Sequence, residues 1–375
     1  FSYMKELLKH IILALTILNV PTFGLASFNP SVGSLSAAML VVALALYYFF
    51  IKKSKPLIAL LVLGILYYSI SGFNFSGPPN VFIKDIFRYF LFIISVTEVA
   101  KNTTNAEACF YLLIGAGSVI VNALIFSDDY GRYAGFYLNP NRAGLICILG
   151  FAFTYRLTNK KYRIIAQLLF TLAGIATLSR YFLLLLVLIN ITSLFANRKN
   201  IAGLFIGAIG LVIIINTPAF ELNKERFDAL DSFFSEGEVK TTTVTRESRQ
   251  ETWALYTDVI VNNVLIGNGY GSMQGQQADT VGIKVGVHNS YLMVVGEAGI
   301  LPFLMMILFY ASLAIKSLLK FRTNPEYLYL SLIITSYLLV SHNYFYNYII
   351  LFFSIWLFAK VTMDTEEKVD NLENE

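Results

Sequence analysis

The sequence predicts an all-α polytopic membrane protein, with about twelve transmembrane helices and one long, partly helical loop outside them. Three observations carry this reading. The chain is 56% hydrophobic and only 14% charged over 375 residues, with a mean hydropathy of +0.63. A soluble domain carries about a quarter charged residues. The apolar residues run in blocks such as Ala37–Ile51 and Tyr181–Ile191 and do not alternate with polar ones. A membrane helix takes about 20 residues, so a dozen fit, leaving about a third of the chain for loops and tails. Nine prolines and 24 glycines exclude collagen and low-complexity disorder.

The elements follow in order. Phe1, Ser2 and Tyr3 precede Met4 and read as a cleavage scar, so residues 1–3 are set apart from the fold. The first apolar stretch has no small-residue cleavage site and is expected to remain as a helix. Residues 4–216 hold nine expected spans, near 7–26, 31–51, 56–73, 81–99, 107–127, 141–157, 162–179, 181–196 and 201–216. A loop over 217–287 follows, then three spans near 288–316, 326–341 and 345–361, then an acidic tail over 362–375. Cys109 and Cys147 fall inside apolar spans, so no disulfide framework is implied.

Orientation comes from the basic residues of alternate loops. Seventeen of the 28, from Lys5 and Lys9 to Lys360 and Lys368, fall on one side. The opposite short loops hold only Arg132, Arg142 and Arg180, with Lys84 and Arg88 at a helix mouth. With twelve spans both termini are cytoplasmic, and the 217–287 loop is outside. That loop is far longer than an ordinary connection, and such loops are commonly functional. Within it, Trp253, Tyr256 and Ile260 recur at helical spacing, so Ser248–Asn262 is expected to be a helix packed on the membrane face.

Polar residues on the outer side are few enough to weigh singly. Gly131-Arg132-Tyr133-Ala134-Gly135 leads into Asn139-Pro140-Asn141 before the sixth span. Asn-Pro is a turn signal, and an asparagine there also serves as a plain helix cap. Ser179-Arg180 lies between two apolar spans, where an arginine either snorkels to the interface or faces a polar cavity. Arg246 and Arg249, three apart, share a helix face with Trp253 one turn on. Guanidinium groups are planar, permanently charged forks suited to phosphate, although salt bridges in an acidic loop would use them equally. His288-Asn289-Ser290-Tyr291 stands at the mouth of the tenth span, with Glu297 deeper in it. An imidazole can take a proton near neutral pH; His342, in the last outer loop, is a competing base. Glu297 needs a partner or a polar cavity in a bilayer. Gly267-Asn268-Gly269-Tyr270-Gly271 reads as a turn, since no strand–helix context makes it a dinucleotide fingerprint. No Walker sequence, zincin motif, Cys-x-x-Cys or Asp-x-Asp is present.

Taken in order, these motifs resemble the bacterial O-antigen ligase and polysaccharide polymerase superfamily. The likeness rests on Gly131-Arg132-x-x-Gly135-x-x-x-Asn139-Pro140-Asn141, Ser179-Arg180, Arg249-x-x-x-Trp253 with Gly267-x-Gly269, and His288-Asn289-x-Tyr291-Leu292 with Glu297 and Gly299. It covers the second two-thirds of the chain. The resemblance implies a GT-C-like, inverting, metal-independent glycosyltransferase without cofactor. Its donor would be an oligosaccharide on undecaprenyl pyrophosphate, used at the periplasmic face of the inner membrane. His288 would act on the acceptor hydroxyl, and Arg249 and Arg180 would clamp the pyrophosphate. Arg246, Arg132 and Arg88 are lesser candidates for that clamp, Asn139, Asn141 and Asn289 support it, and Trp253 would stack on sugar. Membrane lipid and a polysaccharide chain-length regulator are the other implied partners, and nucleic acid is not one. Pro302 departs from the ligase-type pattern, which favours a repeat-unit polymerase over a ligase acting on lipid A–core. A lipid-linked glycan transporter or flippase and a peptidoglycan polymerase of the cell-shape family remain as other readings.

Overall fold

The computed structural model describes residues 2–50, 55–126, 131–197, 200, 203, 205, 207, 249–275, 282–283 and 285–373. Among them the chain is helical, with no strand. The helices are α1 (Ser2–Ile17), α2 (Val20–Ser27), α3 (Pro30–Phe50), α4 (Ile58–Phe73), α5 (Pro79–Asn102), α6 (Asn105–Ile125), α7 (Pro140–Thr154), α8 (Lys160–Ala176) and α9 (Arg180–Ala196). They continue with α10 (Arg249–Asn262), α11 (Ser290–Ala298), α12 (Ile300–Leu319), α13 (Pro325–Tyr337) and α14 (Tyr348–Glu373).

The surface of these helices is apolar where a soluble protein would be charged. Along α3, Val32, Leu35, Met39, Val42, Leu46 and Phe49 are all exposed, in steps of three and four. The face turned inward carries Gly33, Ser36, Leu40, Ala43, Leu44 and Tyr47. An exposed stripe of that extent requires an apolar solvent. The protein is a helical membrane protein. Helices α3, α6 and α12 are long and apolar enough to cross a bilayer, as are α1 and α2 together if their 55° bend belongs to one span. Others are apolar but shorter, such as Ile58–Phe73 and Arg180–Ala196.

Two expected spans are broken in the structure. The stretch near 7–26 is α1 and α2, separated at Asn19, which adopts a left-handed φ of 55°. The stretch near 288–316 is α11 and α12, separated at Gly299, not at Pro302. Gly299 has φ 79°, and a Cβ there would lie 2.1 Å from the Leu265 carbonyl oxygen, so only glycine fits the break. Pro302 sits in the first turn of α12, where proline is tolerated. The tight pair split at Ser179-Arg180 is α8 and α9, turned through Leu178 at φ 46°. The last helix runs on through the acidic tail to Glu373. Most of the ninth span (201–216), the loop over 217–248 and Arg246 lie outside the described residues.

Among the described residues, the connections between helices gather at two ends of the bundle. At the lysine-rich end, Lys360 donates to the Lys101 carbonyl, Lys320 to the Val361 carbonyl and Trp356 to the Thr103 carbonyl. Lys9 bridges Glu6 and Glu107, and Arg156 reaches Glu326. At the other end, Tyr137 donates to the Ile17 carbonyl, Asn74 to the Gly267 carbonyl and Ser290 to the Ser341 carbonyl. This second end gathers the outer-loop motifs.

Candidate functional site

His288 precedes α11 with φ 49°, a conformation held by its neighbours. Behind it, Val287 N–H donates to the Met273 carbonyl at 2.9 Å and Tyr256 of α10 donates to the Val285 carbonyl at 2.5 Å. Ahead of it, Asn289 caps α11, accepting from the amides of Tyr291 and Leu292 at 2.9 and 3.2 Å. The Ser290 amide donates to the Leu338 carbonyl at 2.7 Å. The imidazole is thereby aimed at His342, the two Nδ1 atoms standing 3.0 Å apart and the rings edge to face. Gly286 leaves room for the partner ring, since a Cβ there would meet His342 Nε2 at 2.8 Å.

A 3.0 Å contact between two ring nitrogens holds one proton, so one imidazole donates and the other accepts. Burial and the adjacent His288 pull His342 down to about 4. It is therefore neutral at ordinary pH and able to accept from His288 Nδ1. In that tautomer the lone pair of His288 is on Nε2, the arrangement of a base oriented by a second group. The two histidines, read from sequence as competing candidates, form a pair.

The loop 265–275 and α11 are locked by the buried carboxylate of Glu297. It accepts from the Tyr67 hydroxyl of α4, from the Met273 amide at 3.2 Å and from Gln274 Nε2 at 3.1 and 3.3 Å. Gln274 in turn accepts from Tyr346, in the loop that carries His342. Tyr67 stacks on Phe345 of the same loop at 3.7 Å between ring centres. The acid expected to need a partner thus has several, the Gly271 backbone among them, and it ties α4, the glycine-rich loop and the His342 loop together. Gly267 and Gly269 of that loop follow the α11 backbone. A Cβ on Gly267, at φ 71°, would lie 2.4 Å from the Glu297 carbonyl carbon. The motif Gly267-x-Gly269 and Glu297 with Gly299, distant in sequence, are one contact in space.

The arginines divide. Arg180 is the exposed first residue of α9. Its neighbour Tyr181 donates to the Ile333 carbonyl at 2.5 Å and packs on Tyr337. Both Arg180 and His288 are therefore anchored to the C-terminal end of α13. Arg249 opens α10, with its side chain outside the described residues. Arg132 is buried, its Nε donating to the Thr177 carbonyl at 3.2 Å and one Nη to the Leu178 carbonyl at 3.5 Å. It secures the end of α8, which departs from the expectation of a substrate contact. Arg88 is exposed, with its Nη1 3.8 Å from Asp85, whose other oxygen accepts from Tyr270 at 2.6 Å. The asparagines also have structural duties. Asn139 caps α7 and Asn141 accepts from Ser179 at 3.2 Å. Their side-chain oxygens, like that of Asn289, are committed to backbone or to a neighbouring loop. Trp253 is half-buried, and its Nε1 has no hydrogen-bond partner among the described residues. Tyr346, Gln274 and Tyr67 carry no motif and emerge only in three dimensions.

One cluster has the make-up of a metal site: Glu6, His10 and Glu107 at the lysine-rich end offer ligand atoms within 4.8 Å of one another. The ammonium of Lys9 sits there instead, 2.6 Å from Glu6 and 2.7 Å from Glu107. The acids are explained by that cation.

A comparison with known proteins returns no match: no family model, no curated protein and no solved structure is significantly similar to this chain. The fold and site define a helical membrane protein with a polar, glycine-rich constellation at one end of its bundle.

Proposed function

We propose that the protein is a membrane glycosyltransferase with a GT-C-like architecture of twelve spans. Its termini would lie in the cytoplasm of a bacterial cell and its site would face the periplasm across the inner membrane. It transfers a glycan from an undecaprenyl-pyrophosphate carrier, with inversion and without a metal ion. The single observation that supports this best is the His288–His342 pair, held by strained backbone and a buried hydrogen-bonded carboxylate at the end where Arg180 and α10 also lie. A lone surface histidine would need none of that support.

In this reading the acceptor hydroxyl gives its proton to His288 Nε2 as its oxygen bonds to the anomeric carbon. The bond from that carbon to the phosphate oxygen breaks, and the electron pair leaves on the diphosphate. Fixed guanidinium groups of Arg249 and Arg180 stabilise that growing charge more than they stabilise the bound donor. Lipid-linked repeat units serve as both donor and acceptor, a polymerase reaction. Transfer to lipid A–core, the ligase reaction, is the alternative.

Purified protein given lipid-linked repeat units alone is expected to yield a ladder of longer glycans. Inertness until lipid A–core is added would turn the assignment to a ligase. If Arg249→Ala and Arg180→Ala, both well folded, transfer glycan at the normal rate, the site is misassigned. Abolition of transfer by a divalent-ion chelator would refute the metal-free mechanism.

A further inference from the structure

Two cavities adjoin at the same end of the bundle, on the side of α1, α2 and α3. One, of about 250 Å³, has a polar lining that includes Thr16, Asn19, Arg142, Asn343 and Asn347. The other, of about 290 Å³, runs between α2, α3 and α5, with Arg88 on its wall and Ala37, Leu40, Val41 and Leu44 along its length. Pro21, Thr22, Tyr346 and Tyr348 line both. They are two halves of one cleft, one polar and one apolar, reaching the exposed Leu25 at the lipid-facing surface.

The polar half holds two buried donors with no partner among the described residues. Thr16 is 3% exposed, and its hydroxyl makes no hydrogen bond. Helical threonines such as Thr97 and Thr335 turn back onto the carbonyl four residues earlier; Thr16 does not. The Nε of Arg142, in the first turn of α7, is likewise buried and unpaired. An unmet buried donor costs about 1–3 kcal/mol, so an acceptor belongs in this space. Among the described residues no aspartate or glutamate lines either cavity, so Arg142 brings a positive charge to this space. Water alone would satisfy the donors, but it would not account for an apolar trough continuing from the charged pocket toward lipid.

We propose that this cleft is a lipid site separate from the His288 region. The phosphate or diphosphate head of a lipid-linked molecule sits against Arg142 and Thr16, and its hydrocarbon chain leaves over α3 and α5. Resting on the transfer reaction proposed above, the molecule held here is the acceptor. The segment 343–349 that walls the cleft follows directly on His342, the partner of the base. Two lipid carriers then meet across a single loop, as extension of one lipid-linked glycan by another requires.

Binding to the full chain in nanodiscs of neutral lipid tests this with three probes: farnesyl diphosphate, inorganic pyrophosphate and farnesol. Saturable binding of farnesyl diphosphate is expected, with pyrophosphate a much weaker competitor and farnesol weaker still. Arg142→Ala should weaken it about tenfold or more, Arg142→Lys less, and Thr16→Val about threefold. Thermal unfolding of each variant shows whether it is folded. Equal affinity in wild type and folded Arg142→Ala, or no saturable binding, overturns the site. Farnesol binding as tightly as the diphosphate would mean a merely apolar trough, and pyrophosphate as tight as the lipid would mean a free-anion site. Each result sinks the inference. The binding readout needs no turnover, so it separates from the reaction. If the Arg249 and Arg180 variants transfer normally, the catalytic assignment fails while Arg142-dependent binding stands. If Arg142→Ala binds normally, the cleft assignment fails and the reaction is untouched.

Discussion

The two ends of the helix bundle are held by different chemistry. At the lysine-rich end, ammonium groups close helix ends and acids: Lys9 between Glu6 and Glu107, Lys320 on Val361 and Lys360 on Lys101. The described residues of the turns there include none with left-handed φ. At the other end neutral donors and acceptors dominate, through tyrosine, asparagine, glutamine and backbone. All the residues with left-handed φ among those described, Asn19, Leu138, Leu178, His288 and eight glycines, lie at that end or in the break that opens toward it. Glycine adopts such backbone freely, but at the four other residues it costs about 1–3 kcal/mol each and persists only where the surroundings enforce it. One end locates and closes the helices; the other holds side chains in positions the chain would not choose by itself.

The largest test of this contrast is in activity. His288→Ala is expected to lower glycan transfer by about a hundredfold or more, measured on purified protein, whereas Lys360→Met at the opposite end leaves the rate unchanged. Comparable losses from both would erase the distinction. Next is Glu297→Ala, which strands the Tyr67 hydroxyl, the Met273 amide and Gln274 in a dry interior. Its loss of stability should reach about 3 kcal/mol or more, read from thermal unfolding in detergent. Glu297→Gln, which keeps an acceptor, should lose less.

Acidification should act on the same end. His342 is pulled down to about 4 in the fold, against about 6.5 in an unfolded chain, so the unfolded chain takes the proton first. Its contribution to stability is present above about pH 6.5 and lost as pH falls toward 4, by up to about 3 kcal/mol. In His342→Gln, the unfolding midpoint should decline less over that window. The smallest effect is expected from Lys320→Met, about 1 kcal/mol, since one hydrogen bond to the Val361 carbonyl is removed.

The sequence shows the membrane class and most helices because apolar blocks and turn residues report directly on solvent and backbone. It does not show where a span breaks. Gly299 breaks its span because Leu265 presses against it, and Leu265 is a loop residue with no motif to mark it. Within the site, His288, Glu297 and the glycine turn could be singled out, because a polar residue at a membrane mouth is conspicuous. Their connection could not. Tyr67, Gln274 and Tyr346 look like ordinary residues until three distant segments are packed together. Arg132 misleads for the opposite reason: a charge near an outer loop suggests a ligand, while its nearest needs are the carbonyls at the end of α8. The unmet donors of Thr16 and Arg142 are invisible without knowing what surrounds them.

Helix length has a consequence for the bilayer itself. At 1.5 Å per residue, the 16 residues of α4 span only about 24 Å, against a hydrocarbon layer of about 30 Å, and its outward side carries Ile58, Val62 and Ile65. Crossing the bilayer there requires the lipid beside α4 to thin by several ångströms or its headgroups to sag inward to meet it. A polar lipid drifting along this flank would thus find the water boundary dipping to greet it, and the protein carries its own dimple in the membrane wherever it goes.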